Sequence, residues 1–200
     1  MKRVAIFALL SCLIAAASAT NSESFSFPPK AIFGQRGQSV DVKPIAPFAS
    51  DEGENLAAFL LRAAILFRGF TADSGFEACS AICMSPSGQY GVFLITNESH
   101  IGCTVVNVCQ HGMTATGESI HSHPQQDSFV VNRADKVFAE ARDDSAIVIA
   151  RGSILRGSAG HGFSETDYEG GPGYLVDGNI LRYQKGSGTS RDVGVLPPAE

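Results

Sequence analysis

Four cysteines, Cys79, Cys83, Cys103 and Cys109, fall within one segment of the 200-residue chain, and what they do depends on the compartment the chain enters. Met1-Lys2-Arg3 is a short basic start, followed by the apolar run Val4 to Ala17 and the small residues Ala17-Ser18-Ala19. This pattern predicts an export signal over residues 1–19, cleaved before Thr20. The run is too short and too alanine-rich to favour a retained membrane anchor. It also continues past Cys12, which argues against lipidation there. The chain is therefore expected in the periplasm or secreted, with no membrane span after cleavage. Four cysteines in an oxidising compartment point to two disulfides. A structural zinc would favour paired CxxC spacing, which is absent. If Cys79–Cys83 and Cys103–Cys109 lie on extended strands, each pair is too far apart to bridge within itself, and cross-pairing follows. A local turn would remove that argument.

Hydrophobic residues make up 44% of the chain and charged ones 18%, which excludes a disordered chain or a basic arm. The net charge of −5 becomes −7 once Lys2 and Arg3 are removed, so no nucleic-acid partner is expected. Residues 20–49, with Pro28-Pro29, Gly34 and Gly37, read as an irregular surface segment. Asp51 to Arg68 reads as a helix with Asp51 and Glu54 as a capping box and Gly69 as its stop. Leu56, Phe59, Leu60, Ala63 and Phe67 form its apolar face, widened by Leu61, Ile65 and Leu66. Strands are expected at residues 76–84, 90–96, 104–108 and 146–150, another ends in 119–123, and a short helix is expected at 134–142. A hairpin turns at Asp177-Gly178, between strands at 174–176 and 180–183. Residues 189–200 read as a C-terminal tail, irregular at Val195-Leu196-Pro197-Pro198. The result is one α+β domain over residues 50–188, a mostly antiparallel sheet packed against a leading helix and a shorter second helix.

The chemistry centres on His121-Ser122-His123-Pro124. On a strand, residues i and i+2 share a face about 6–7 Å apart, so both imidazoles can grip one ion, and Pro124 ends the strand. A catalytic zinc commonly takes three protein ligands and leaves one position open. Two carboxylates could be the third. Asp135, in Asn132-Arg133-Ala134-Asp135, follows closely and opens a helix. Asp167, in Phe163-Ser164-Glu165-Thr166-Asp167, has an intact serine three residues ahead.

His121-Ser122-His123-Pro124 together with Ser164-x-x-Asp167 resembles the JAMM motif of the JAB/MPN metallopeptidases. Phe163-Ser164-x-x-Asp167, followed by Gly173-Tyr174-Leu175-Val176 and Asp177-Gly178, is closer still to bacterial JAB-like domains known only as domains of unknown function. The similarity spans residues 51–188. It implies a JAB/MPN-like fold, with His121, His123 and Asp167 as zinc ligands. It further implies Glu77 as the general base and Ser164 as the group that stabilises a tetrahedral oxyanion. Such a site needs no nucleophilic serine or cysteine.

The remaining polar residues read more plainly. Glu118 has the wrong parity to join the two histidines. His161 lies between two glycines in a loop, and His100 and His111 read as solvent-exposed. Arg133, Arg142 and Arg151 either guide an acidic ligand or are solvated. The expectation is an exported zinc hydrolase acting on a peptide or isopeptide bond, with cell-wall peptides a natural substrate in a periplasm. The alternatives are a non-catalytic module that binds a peptide or partner protein along a sheet edge, and a zinc hydrolase acting on another amide.

Overall fold

A computed structural model describes residues 26–33, 37–141, 150–156 and 162–198. The expected export signal, His161 and Arg142 lie outside the described residues. So does the strand expected at 146–150, apart from Ala150, which is not in a strand. The architecture is α+β, built on a seven-stranded mixed sheet. Its strands, numbered in chain order, are β3 (Lys43–Ala49), β4 (Ala78–Met84), β5 (Tyr90–Thr96), β6 (Thr114–Ser122), β9 (Gly173–Asp177), β10 (Ile180–Gln184) and β11 (Arg191–Val195). Their spatial order is β11-β10-β9-β6-β4-β5-β3. Every neighbouring pair is antiparallel except β6 and β9, which run parallel.

Helix α1 (Leu56–Ser74) covers one face of the sheet. Phe59, Leu60, Ala63, Ala64 and Phe67 pack against Ala78, Ile82, Val92, Leu94, Ile120, Tyr174, Val176 and Leu181. The helix begins four residues later than Asp51-Glu54 suggested, because Asn55 is the cap and accepts from the Ala58 amide at 3.0 Å. Glu54 still bonds back to the Asp51 amide, at 3.0 Å, and its carboxylate also takes Arg62. Gly69 does not stop the helix. A mid-helix glycine costs about 1 kcal/mol, less than the buried Phe67 and Thr71 on either side return by packing. The stop is Gly75, at φ 76°, whose amide donates to Thr71 O. Ile65 and Leu66 are 39% and 44% exposed, so the buried face is narrower than their hydropathy implies.

Three expectations fail for identifiable reasons. Residues 20–49 are not irregular throughout, since β1 (Lys30–Phe33) pairs with β2 (Gln38–Asp41) and β3 joins the main sheet. Pro44 and Pro47 are tolerated in β3 because it is an edge strand. The tail beyond 189 includes β11, where Gly194 lets Leu61 of α1 approach; a Cβ there would lie 2.8 Å from Leu61 Cδ2. Residues 104–108 form no strand; the segment is held by cystines near both ends, and Val105 and Val106 still pack into a second core.

That second core lies on the opposite face. Ala31, Val40, Val42, Cys79, Ile95 and Phe138 come together there, the last from α2 (Arg133–Ala141). Disulfides Cys79–Cys103 and Cys83–Cys109 fasten the segment after β5 to β4; the pairs cross as expected, although only Cys79 and Cys83 lie on a strand. β7 (Ser128–Val130) and β8 (Ile154–Arg156) form a separate ribbon, and α3 (Glu165–Glu169) is a single short helix.

Candidate functional site

Strand register assembles the site. β6 exposes Ser122 to the α1 face, where its hydroxyl meets Thr71 Oγ1 at 2.5 Å and accepts from the Ala78 amide. His121 and His123 therefore turn to the other face, as alternation demands. Their ring centroids are 5.0 Å apart. Cys79 of β4 pairs with His121, and continuing that register by two residues sets Glu77 opposite His123. Glu77 Oε1 lies 4.0 Å from His123 Nε2. The Glu77 backbone is held on both sides: its amide donates to Ser99 O at 2.8 Å, and its carbonyl accepts from Thr96 Oγ1 at 2.7 Å.

Asp167 reaches the histidines from α3. Its Oδ1 is 3.2 Å from His121 Nε2 and its Oδ2 is 3.7 Å from His123 Nε2. One ligand atom from each of the three residues lies within 4.8 Å of the others, so the group could hold a metal ion. His121 Nε2 is buried and its approach to Asp167 is not aligned as a hydrogen bond. An orphaned ring nitrogen facing a carboxylate suits two groups that converge on a third partner. Burial would raise the Asp167 pKa. The adjoining His121 ring, the charge of His123 and the Ser164 amide outweigh it and hold the carboxyl below the ordinary range.

Ser164 is the N-cap of α3. Its hydroxyl donates to Asp167 Oδ2 at 2.8 Å and accepts from the Asp167 amide at 3.3 Å, while its own amide donates to Oδ2 at 2.7 Å. The Ser-x-x-Asp spacing is thus a capping box that aims the carboxylate. In this arrangement the one hydroxyl proton of Ser164 is committed to Asp167.

Asp135 is not part of this group. It is fully buried and accepts from Ser99 Oγ at 2.8 Å, the His100 amide at 2.7 Å and the Asn132 amide at 2.9 Å. Its Oδ2 also meets His100 Nδ1 at 2.8 Å. Asn132 Oδ1 closes a second capping box on the Asp135 amide, and Asn132 Nδ2 donates to Glu98 O. His100 is accordingly not solvent-exposed. Its ring stacks on Phe129 at 4.5 Å and meets Phe76 edge-on at 4.8 Å. The sequence offered one signal of this network, the Asn-x-x-Asp cap, and none for its partners.

The other candidates separate cleanly. Glu118 faces away from the histidines, as its parity requires, and takes the Tyr183 hydroxyl at 2.8 Å. That bond, with some burial, raises the Tyr183 pKa. A bulge sets it there, with Thr116, Gly117 and Glu118 opposite Ile82 and Gly117 at φ 88°. His111 is exposed, as expected. Arg133 makes an exposed ion pair with Asp41, and Arg151 is exposed.

Two further groups frame the site; the sequence marked Asp177 only as a turn residue and gave no signal for Gln184. Asp177, buried at the end of β9, takes the Gly162 amide at 3.0 Å and Arg182 at 3.4 Å, which anchors the approach to Phe163 and Ser164. Gln184 holds α3 from behind through Asp167 O. Among the described residues no helix is long and apolar enough to cross a membrane. Comparison with family models, curated proteins and solved structures gives no match to this chain.

Proposed function

We propose that this chain is an exported zinc-dependent hydrolase of peptide or isopeptide bonds, with a JAB/MPN-like site. The observation that carries the reading is the meeting of His121, His123 and Asp167 within 4.8 Å, with Glu77 Oε1 4.0 Å from His123 Nε2. Two imidazoles and one carboxylate are a common catalytic zinc set and leave a coordination position for water. Zinc bound there would lower the pKa of its water to about 7 and polarise a carbonyl oxygen.

The chain's own residues divide the remaining work. Glu77, nearly buried and fixed through both its backbone polar groups, is placed to accept a proton at Oε1 and pass it to the leaving amine. Asp167 contributes negative charge to the cation and stays ionised because its neighbours favour the charged form. Ser164 aims Asp167 through the capping box; to donate to an oxyanion, its hydroxyl must first leave Asp167 Oδ2. Phe163, 6.2 Å from His121 and 5.8 Å from Tyr168 between ring centroids, supplies an apolar wall. Two disulfides favour an oxidising compartment, which supports export. Cell-wall peptides are the substrate class we favour if that compartment is a periplasm.

The test is elemental analysis of purified protein beside His123→Ala, Asp167→Ala and Asp135→Ala variants. The expected result is near one zinc per chain, lost in the first two variants and kept in the third. Glu77→Gln should then retain zinc and lose turnover of a peptide library by about 10²- to 10⁴-fold. No metal in folded wild-type protein supplied with zinc would overturn the enzyme reading and leave a peptide- or partner-binding module. Turnover confined to non-peptide amides would move the substrate class and keep the site.

A further inference from the structure

Asp167 sits on α3, a helix of only five residues. One turn of helix has little stability of its own, so its position must be imposed from outside. The Ser164 capping box fixes the first turn and the carboxylate. Nothing in that box fixes the far end, where a helix leaves carbonyls without intrahelical partners.

Gln184, the last residue of β10, supplies the missing constraint. Its side chain is almost wholly buried, at 1% exposure, and each of its polar atoms is used. Nε2 donates to Asp167 O at 3.0 Å and to Gly171 O at 2.6 Å, and Oε1 accepts from the Gly186 amide at 2.6 Å. One amide thus ties the backbone of Asp167, the chain leaving α3 and the β10–β11 turn to the end of a strand paired on both sides. A buried primary amide with both ends satisfied is costly to place unless its bonds are kept. No other side-chain donor reaches the Asp167 carbonyl among the bonds of the described residues.

We infer that Gln184 is a positioning residue for the metal site, which sets how far the Asp167 carboxylate stands from His121 and His123 and hence how tightly zinc is held. The inference rests on the metal site proposed above, but not on hydrolysis. Residues that orient a metal ligand typically alter affinity by about 10–100-fold when removed.

The experiment is zinc titration of the full chain against a chromophoric chelator, with the cobalt-substituted absorption spectrum as a second readout. Gln184→Met keeps the bulk and removes all three bonds. Gln184→Glu keeps an acceptor for the Gly186 amide and removes the amide donors. Asn97→Leu is the control, because Asn97 is buried and bonds Asp41 O and the Thr104 amide without touching α3. We expect both Gln184 variants to weaken zinc binding by about 10–100-fold and to alter the cobalt spectrum, whereas Asn97→Leu loses stability and keeps affinity. Affinity within twofold of wild type in a folded Gln184 variant would overturn the inference. So would unfolding of both variants, since Gln184 would then be a residue of the fold with no separable effect on the metal. An equal loss in Asn97→Leu would overturn it too, by making the effect one of general stability. Failure of the site itself reads differently: wild type would bind no better than Asp167→Ala.

Discussion

Asp135→Ala separates a residue that builds the fold from one that holds metal. The carboxylate is fully buried and accepts from Ser99 Oγ, the His100 amide, the His100 ring and the Asn132 amide. Ser99 is itself at 0% exposure, so its hydroxyl is stranded without water, at about 1–3 kcal/mol. Loss of the α2 capping box adds about 1 kcal/mol. The two His100 bonds are partly buried and add about 0.5–1.5 kcal/mol each. Together these give about 3–7 kcal/mol. For a domain of this size, that lowers the melting temperature by about 6–28 °C. Thermal or urea unfolding of apo protein measures the loss, and elemental analysis of the folded variant measures zinc. A loss below about 1 kcal/mol would refute the buried-hub reasoning. Zinc absent from a folded Asp135→Ala variant would refute the assignment of Asp167 as third ligand.

Ser164→Ala should weaken zinc binding about tenfold and destabilise the fold by about 1 kcal/mol, because the serine aims a ligand and caps a helix; unchanged zinc affinity with turnover reduced about 10²- to 10³-fold would restore the oxyanion role instead. The double variant Cys79→Ser/Cys103→Ser removes a bridge spanning 24 residues and should cost about 3–4 kcal/mol in denaturant unfolding, and loss under about 1 kcal/mol would contradict it. Acid should destabilise the apo protein through Asp167. Its carboxyl titrates below the ordinary value in the folded state, so its contribution is present above about pH 4 and is lost as pH falls below that. Unfolding at pH 7, 5 and 3 should show a shallower acid loss in Asp167→Asn than in wild type, and equal slopes would contradict the coupling.

The sequence made the centre of the sheet readable and its margins obscure. The β4–β5 hairpin, α2 and the β9–β10 hairpin follow from apolar period and turn chemistry, both local properties. β3 was hidden because its prolines forbid a central strand, and only tertiary placement reveals that it is an edge. Residues 104–108 have strand composition, but the cystines at Cys103 and Cys109 fix them without a ladder. His121 and His123 could be read from parity alone. The third ligand could not be read from local pattern, because Asn132-x-x-Asp135 and Ser164-x-x-Asp167 are the same local device, a capping box opening a helix. What distinguishes them is what lies opposite: Ser99 and His100 in one case, the two β6 histidines in the other. The burial of His100 was unreadable for the same reason, since Phe76, Phe129 and Asp135 reach it from separate segments.

The single parallel pair, β6 beside β9, bears on how such a chain can change over evolutionary time. Parallel neighbours need a long return path, and here that path leaves the sheet just after His123 and re-enters it just after α3. Thirty-nine residues separate Pro124 from Ser164, and all of them lie between the ligands rather than within either anchor. The ends of the excursion are pinned by β-ladder, capping box and Gln184. Between those ends the path is tied down again at α2, through Asp135 and Phe138, so added length belongs in the connections between its elements, where doubling a flexible loop costs only about 0.6 kcal/mol. New sequence can therefore accumulate between the two halves of the site, altering what approaches it, while the three ligand atoms keep their separation.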